Sequence, residues 1–218
     1  AGGPLYLYRL MHYCSNKQLN PPFATHSNVL NHSDALPVHN IMQQYSQWLA
    51  QQYPQIKLVK TPSICITEAL ELPGPTGESN TYHILARQQI LCVASQQNDL
   101  LQQIALILSL NSRPVICIDN PIALTLLNSM PTPLRRRFHC IEHIQQGEFD
   151  IALHHGDTQS LLRLQQDIVK RSGPMINIVH MNSGDYEIPI ERLMIERVVS
   201  INTTAAGGNA SLMTMAGF

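Results

Sequence analysis

Apolar strands alternating with amphipathic helices over residues 90 to 180 predict an α/β fold, and three observations carry the prediction. Ile90 to Ala94 (ILCVA) and Val115 to Ile118 (VICI) are uninterrupted apolar runs, as expected of strands buried on both faces. About twenty residues separate them, enough for a crossover helix, and such crossovers are right-handed in ~98% of cases. The strand-then-helix pattern then repeats as far as His180. The expected architecture is a Rossmann-like, mostly parallel sheet with flanking helices, plus extended N- and C-terminal segments.

Taken in order, Leu5 to Tyr13 is apolar and aromatic and reads as a strand, while Asn16 to Pro37, rich in Asn, Pro, Ser and His, reads as a linker. His39 to Gln52 is expected to be a helix, with Ile41, Tyr45, Trp48, Leu49 and Gln52 on its inner face and Pro54 as its stop. Ser63 to Ile66 is a short apolar run, read as a strand. Pro73 to Asn80 reads as a loop and Thr81 to Ala86 as an extended strand. After the strand at Ile90, Asn98 or Asp99 is the expected cap of a helix through Leu110. Asn120 caps, and Pro121 opens, a helix through Leu127. Phe138 to Ile144 and Asp150 to Leu153 read as short strands. Asp157 caps a helix to about Lys170, with Leu161, Leu164, Ile168 and Val169 inward. Met175 to His180 is another strand. Glu191 to Arg197 reads as a helix, followed by an extended tail.

The chain has 218 residues, enough to bury roughly 70% of its unfolded surface. Lys plus Arg number 14 and Asp plus Glu 15, so the net charge is -1, and no basic field exists to hold nucleic acid or an anionic membrane. Charged residues make up 13%, against a usual share of about 25%, which suits a surface buried against other protein. The five cysteines are scattered, without a C-x-x-C pair, and favour reduced thiols in a cytosolic setting. No apolar run approaches the ~18 residues of a membrane helix. The opening Ala1-Gly2-Gly3-Pro4 has no initiator methionine and no signal core, so a piece of a longer polypeptide is expected.

The motifs point away from chemistry within this chain. Ser95-Gln96-Gln97-Asn98 follows the Ile90 strand where a dinucleotide fold would carry G-x-G-x-x-G, and no P-loop motif occurs. Cys92 and Cys117 lie inside apolar strands, where burial raises a thiol pKa. His139 and His143 are metal-ligand types, but on a strand, without a third ligand, they read as structural or surface residues. Arg135-Arg136-Arg137 could grip phosphate and reads instead as a solvated helix end. The closing stretch Asn202-Thr203-Thr204-Ala205-Ala206-Gly207-Gly208-Asn209-Ala210-Ser211-Leu212 is almost without charge and built from small side chains. It fits a groove where backbone must come close, and it equally fits a loose terminus.

Three places resemble the proline utilisation A (PutA) flavoproteins: Ala1 to Leu10, then Gly74 to Thr81 with Ile90 to Ala94, and most specifically Glu191 through Arg197 to Met213. The resemblance implies the C-terminal region of a parent that oxidises proline with FAD and then the resulting semialdehyde to glutamate with NAD. It divides the chain into residues 1–15 as the end of an upstream catalytic dehydrogenase domain, 16–37 as linker, 38–197 as a non-catalytic domain of aldehyde dehydrogenase type, and 198–218 as tail. Ser95 to Asp99 stands where catalytic members carry a Pro-Trp-Asn-Phe-Pro-like loop. Asp119-Asn120-Pro121 stands where they carry Lys-Pro, so an anion faces the expected cofactor.

The resulting expectation is a piece with no catalytic, cofactor-binding or metal residues, FAD and NAD belonging to the parent. Asn202, Thr203, Ala206, Gly207, Gly208, Asn209, Ser211 and Leu212 are the expected docking residues. They would seal a passage on the upstream catalytic dehydrogenase domain of the same polypeptide. A homo-oligomeric parent, cytoplasmic or peripheral at the inner membrane, is implied as well, with no nucleic acid bound through this region and no transmembrane segment. The competing expectations are an active NAD-binding dehydrogenase module and a nucleic-acid module, the latter opposed by the net charge.

Overall fold

A computed structural model describes Tyr6 and residues 38–59 and 69–202. Its chain divides into two compact units. The larger holds the described residues up to 59 from position 38, and those from Ala86 to Met194. The smaller holds Tyr6, residues 69 to 85 and residues 195 to 202.

The larger unit is a five-stranded parallel sheet with flanking helices. In chain order its elements are α1 (Val38–Gln52), β3 (Gln89–Ala94), α2 (Gln97–Ser109), β4 (Arg113–Cys117), α3 (Pro121–Ser129), α4 (Thr132–Arg135), β5 (His139–Ile141), β6 (Ile151–His155), α5 (Thr158–Val169) and β7 (Asn177–Met181). The smaller unit carries β1 (Leu70–Leu72), β2 (Glu78–Ala86) and β8 (Met194–Asn202), the last two crossing the division by one residue each. The five strands lie in the order β5-β4-β3-β6-β7, every pair parallel. The chain steps from β3 outward to β4 and β5, then returns to the other side of β3 for β6 and β7. Right-handed crossovers running in opposite directions place α2 and α5 on opposite faces.

Under α5 lies a core of Leu91, Val115, Ile141, Phe149 and Ala152 packed against Leu164 and Ile168. On the other face α2 is buried on every side from Asp99 to Leu108. It is covered by α1, whose Ile41, Tyr45, Trp48 and Leu49 are buried. The Tyr45 hydroxyl donates to the Leu101 carbonyl at 2.8 Å and the Trp48 indole to the Ser129 carbonyl at 3.0 Å. Polar tips on aromatic bodies thus tie α1 to α2 and α3.

Several expectations meet the structure directly. Asn120 caps α3, its Oδ1 accepting from the N–H groups of Ile122 (3.0 Å) and Ala123 (3.3 Å), and Asp157 caps α5 through Ser160 N–H at 2.7 Å. Asn98 and Asp99 do not cap α2. The helix begins at Gln97 with no side-chain cap, because Asp99 is drawn into tertiary bonds described below. Gln52 is exposed and Val169 is 81% exposed, so neither joins the inner face expected of it. The strand expected over Phe138 to Ile144 shortens to β5, and a 3-10 turn (Ile144–Gln146) follows.

The helix expected over Glu191 to Arg197 is replaced by a 3-10 turn (Ile190–Leu193) and the strand β8. The β-branched residues Val198, Val199 and Ile201 favour the extended form once β2 is available for pairing. Within this small sheet, ordered β1-β2-β8, the Tyr82 hydroxyl donates to the Glu196 carboxylate at 2.5 Å and Ser200 bonds to Asn80. Tyr6 is helical and exposed, not in the strand expected over Leu5 to Tyr13; the other residues of that expectation, and those expected as a linker over Asn16 to Pro37 and as a strand over Ser63 to Ile66, lie outside the described residues. Among the described residues no helix is long and apolar enough to cross a membrane.

Asn120 also donates from Nδ2 to the Ala94 carbonyl at 3.0 Å, joining the α3 cap to the end of β3. Replacing it by Ala should lower unfolding free energy in urea by about 1–2 kcal/mol, and Asn120→Asp, which keeps the cap acceptor, should lose less.

Candidate functional site

In an open parallel sheet the ligand position is the crevice at the carboxyl ends of the two strands where the order reverses. Here those strands are β3 and β6. A cleft of about 340 Å³ opens there, lined among others by Ser95 and Gln96 after β3, Gly156 and Asp157 after β6, Arg163 on α5, and Ser183.

The feature that sequence reasoning did not single out is the dipeptide His154-His155 at the end of β6. Adjacent strand residues point to opposite faces, so the two imidazoles bond to different helices. Both are buried at 1% exposure. His155 turns toward α2, where Gln103 Nε2 lies 2.8 Å from its Nδ1 and 3.0 Å from the Val93 carbonyl oxygen. An amide nitrogen donates, so His155 Nδ1 accepts; its Nε2 therefore carries the proton and donates to the Asp185 carbonyl at 2.8 Å. Burial lowers the His155 pKa, in keeping with this neutral tautomer.

His154 turns toward α5. The Ser160 hydroxyl donates to the Asp157 carbonyl (2.8 Å) and so accepts from His154 Nε2 at 3.1 Å. His154 Nδ1 is then a bare lone pair, 2.9 Å from His180 Nδ1 on β7, which donates to it. Burial first, then the neighbouring imidazoles of His180 and His155, push the His154 pKa down to about 4. Gly156 makes this packing possible: a Cβ there would stand 2.5 Å from Ser160 Oγ and 3.1 Å from the His154 ring.

A loop after β7 closes over the start of α2. Asp99, 1% exposed in the first turn of that helix, accepts from the Ser183 hydroxyl (2.6 Å) and the Gly184 N–H (3.1 Å). Asn98 donates to the Tyr186 hydroxyl at 2.6 Å. Burial, then bonding to Asp99, raises the Tyr186 pKa. Gly184 sits at φ 86° in the turn closed by Asp185 N–H to the Asn182 carbonyl, a conformation that suits glycine.

The residues singled out from sequence are not brought together into a reactive centre. Cys92 is buried and its thiol pKa is pushed up by that burial; Cys117 and Cys140 are raised for the same main reason. His139 bonds Gln89 at 2.7 Å and His143 bonds Asp119 at 3.1 Å, so they serve different neighbours. Among the described residues no group of three His, Cys, Asp or Glu side chains is placed to hold a metal. Asn202 ends β8 and is exposed; Thr203, Ala206, Gly207, Gly208, Asn209, Ser211 and Leu212 lie outside the described residues.

The His154 arrangement carries a pH dependence. Its pKa is lower in the folded chain than the ordinary 6.5, so the unfolded chain binds the extra proton between about pH 6.5 and 4. Stability contributed by the neutral imidazole is present above that window and lost as pH falls through it. At about 1.4 kcal/mol per pH unit of separation the ceiling is roughly 3 kcal/mol. His154→Gln should flatten the fall in unfolding free energy between pH 6.5 and 4; an unchanged slope would place the dependence elsewhere.

No family model matches the chain. Bifunctional protein PutA of Escherichia coli K12 is 34% identical over 235 residues, covering 99% of this chain. Its counterpart in Salmonella typhimurium LT2 is 33% identical over 228 residues, again covering 99%. The chain spans 17% of the length of each. A solved structure of proline utilization A with proline bound in remote sites overlays with a TM-score of 0.41 at 17% identity, over 69% of this chain and 16% of that one.

Proposed function

The chain is homologous to a segment of the PutA proteins, and on that premise we propose that it is a non-catalytic domain from the C-terminal region of such a protein. In this reading the parent oxidises proline with FAD and the resulting semialdehyde to glutamate with NAD. This domain resembles the aldehyde dehydrogenase superfamily but performs neither step. It steadies the upstream semialdehyde dehydrogenase domain of the same polypeptide, takes part in assembly of a cytoplasmic oligomer, and helps to retain the intermediate between the two active sites.

The observation that supports the non-catalytic reading is the set of bonds the chain makes with itself around the crevice between β3 and β6. A dinucleotide pyrophosphate needs glycines that let it approach the start of the first crossover helix, and a helix start free of competing negative charge. At that position stand Ser95 and Gln96, the buried carboxylate of Asp99, and the loop bonded to it through Ser183 and Gly184. His155, locked between Gln103 and Asp185, occupies the end of β6. An anionic phosphate brought here would meet an anion and would have to break these bonds. The residues present therefore do not fit NAD.

The tail role belongs to the same proposal. Asn202, Thr203, Ala206, Gly207, Gly208, Asn209, Ser211 and Leu212 would lie along the upstream domain, their small side chains allowing close backbone approach and their amides pairing with it. Excluding water from a passage retains a reactive aldehyde or its cyclic imine.

The alternative is an active NAD-binding module, favoured by the cleft of about 340 Å³ that persists at the switch point with Arg163 on its wall. Calorimetry separates the two readings. The full-length protein should bind NAD once per polypeptide; a second micromolar site, abolished by substitutions at Arg163, would establish the alternative. Truncation before Asn202 in the full-length protein should introduce a lag in NADH formation from proline or lower semialdehyde oxidation. Superimposable progress curves with unchanged assembly would rule out the tail role.

A further inference from the structure

The opposite, amino-terminal edge of the five-stranded sheet is unlike the rest of this charge-poor chain. Arg87 lies two residues before β3, and Arg113 opens β4. Arg135 ends α4, and Arg136 and Arg137 lead into β5. His139 pairs with Val115, so Arg113 and Arg137, each two residues earlier, come level on neighbouring strands. Five of the chain's 14 basic side chains are thus gathered at the entrances of three adjacent strands.

Two of the five are fixed in place by neutral oxygens. Arg87 Nη1 lies 3.5 Å from the Asp150 carbonyl, and Arg137 Nη2 donates to the Asn111 side-chain oxygen at 2.9 Å. Neither bond cancels a positive charge. Asp150, the acid that begins the return to β6, directs its carboxylate to the N–H groups of Gln88 (2.8 Å) and Gln89 (2.9 Å). Arg113, Arg135 and Arg136 are exposed and make no side-chain hydrogen bond or ion pair among the described residues. A helix C-terminus accounts for one cation at Arg135. It does not account for three bare guanidinium groups beside two that are already positioned.

We propose that this edge is a docking surface for an acidic segment of polypeptide, a run of aspartate and glutamate side chains on another protein surface. A guanidinium is a planar fork matched to a carboxylate, and several side by side read a row of carboxylates with defined spacing. A chain of net charge -1 lacks the broad positive field on which binding of nucleic acid or an anionic membrane depends, whereas a row of surface carboxylates needs only a local cluster. A cluster confined to one edge acts within a screening length of about 8 Å, the range of direct protein contact. The inference does not rest on the PutA reading: it concerns the edge of the sheet away from the β3/β6 crevice and holds or fails separately.

The test uses the full-length protein that carries this chain and a fluorescent oligoglutamate peptide as probe, followed by anisotropy. The peptide should bind at low salt, weaken steeply toward ~200 mM salt, and lose about tenfold in affinity in the combined variant Arg113→Gln, Arg135→Gln, Arg136→Gln. The single reversal Arg136→Glu, at an exposed position, should weaken it in the same direction with an unchanged melting temperature. Equal peptide affinity in wild type and in both variants would overturn the proposal. So would tighter binding of a single-stranded oligonucleotide or an anionic vesicle through the same three arginines, which would make the edge a general polyanion site.

Discussion

Burial of α2 on every side is the constraint from which the rest of the larger unit follows. A helix against one face of a sheet normally shows a polar stripe to water; α2 is instead covered again by α1. Its polar residues therefore have to find partners inside the protein. Gln102 reaches out to the segment after α1, donating to the Lys57 carbonyl at 2.7 Å and accepting from Val59 N–H at 3.1 Å. Gln103 reaches into the sheet, to Val93 and His155. Asp99 reaches across to Ser183 and Gly184. Three side chains on one helix thus order the chain on both sides of the sheet's first strand.

The same constraint explains the state of the crevice. In a dinucleotide fold the start of the first crossover helix receives the phosphate. Here its first turn carries Asp99, bonded to Ser183 and Gly184, and the end of β6 carries a histidine whose two nitrogens are both used. The chain's own bonds thus border the cleft at the switch point, with His155 and Ser183 both on its wall.

Legibility divided along a clear physical line. The β3–α2–β4 unit, the Asn120 and Asp157 caps, and the repetition of strand and helix could be read because they rest on local pattern and on side chains bonding within three residues. The cap of α2 could not, because Asp99 is spent on residues more than eighty positions away. The outward turn of Val169 and the extended form of Met194 to Arg197 were hidden for a related reason: helix periodicity in a short window does not say which neighbours exist. His154-His155 carried a weak signal, two imidazoles on a strand at a sheet's centre, whose meaning required Gln103, Ser160 and His180 to be placed around them.

The amino-acid sequence by itself determined the class of fold, the alternation of strand and helix from β3 to β7, the lack of a glycine-rich phosphate loop and the similarity to PutA proteins, since each lies in a contiguous run of residues. Tertiary structure alone decided that the residues around the crevice between β3 and β6 are bonded to distant parts of their own chain, that residues 194 to 202 form a strand, and that five arginines share one edge. Those outcomes depend on which distant segments meet. Strand order and burial set that, through hydrogen bonds that an enclosed polar group must make somewhere and that no short stretch of sequence records.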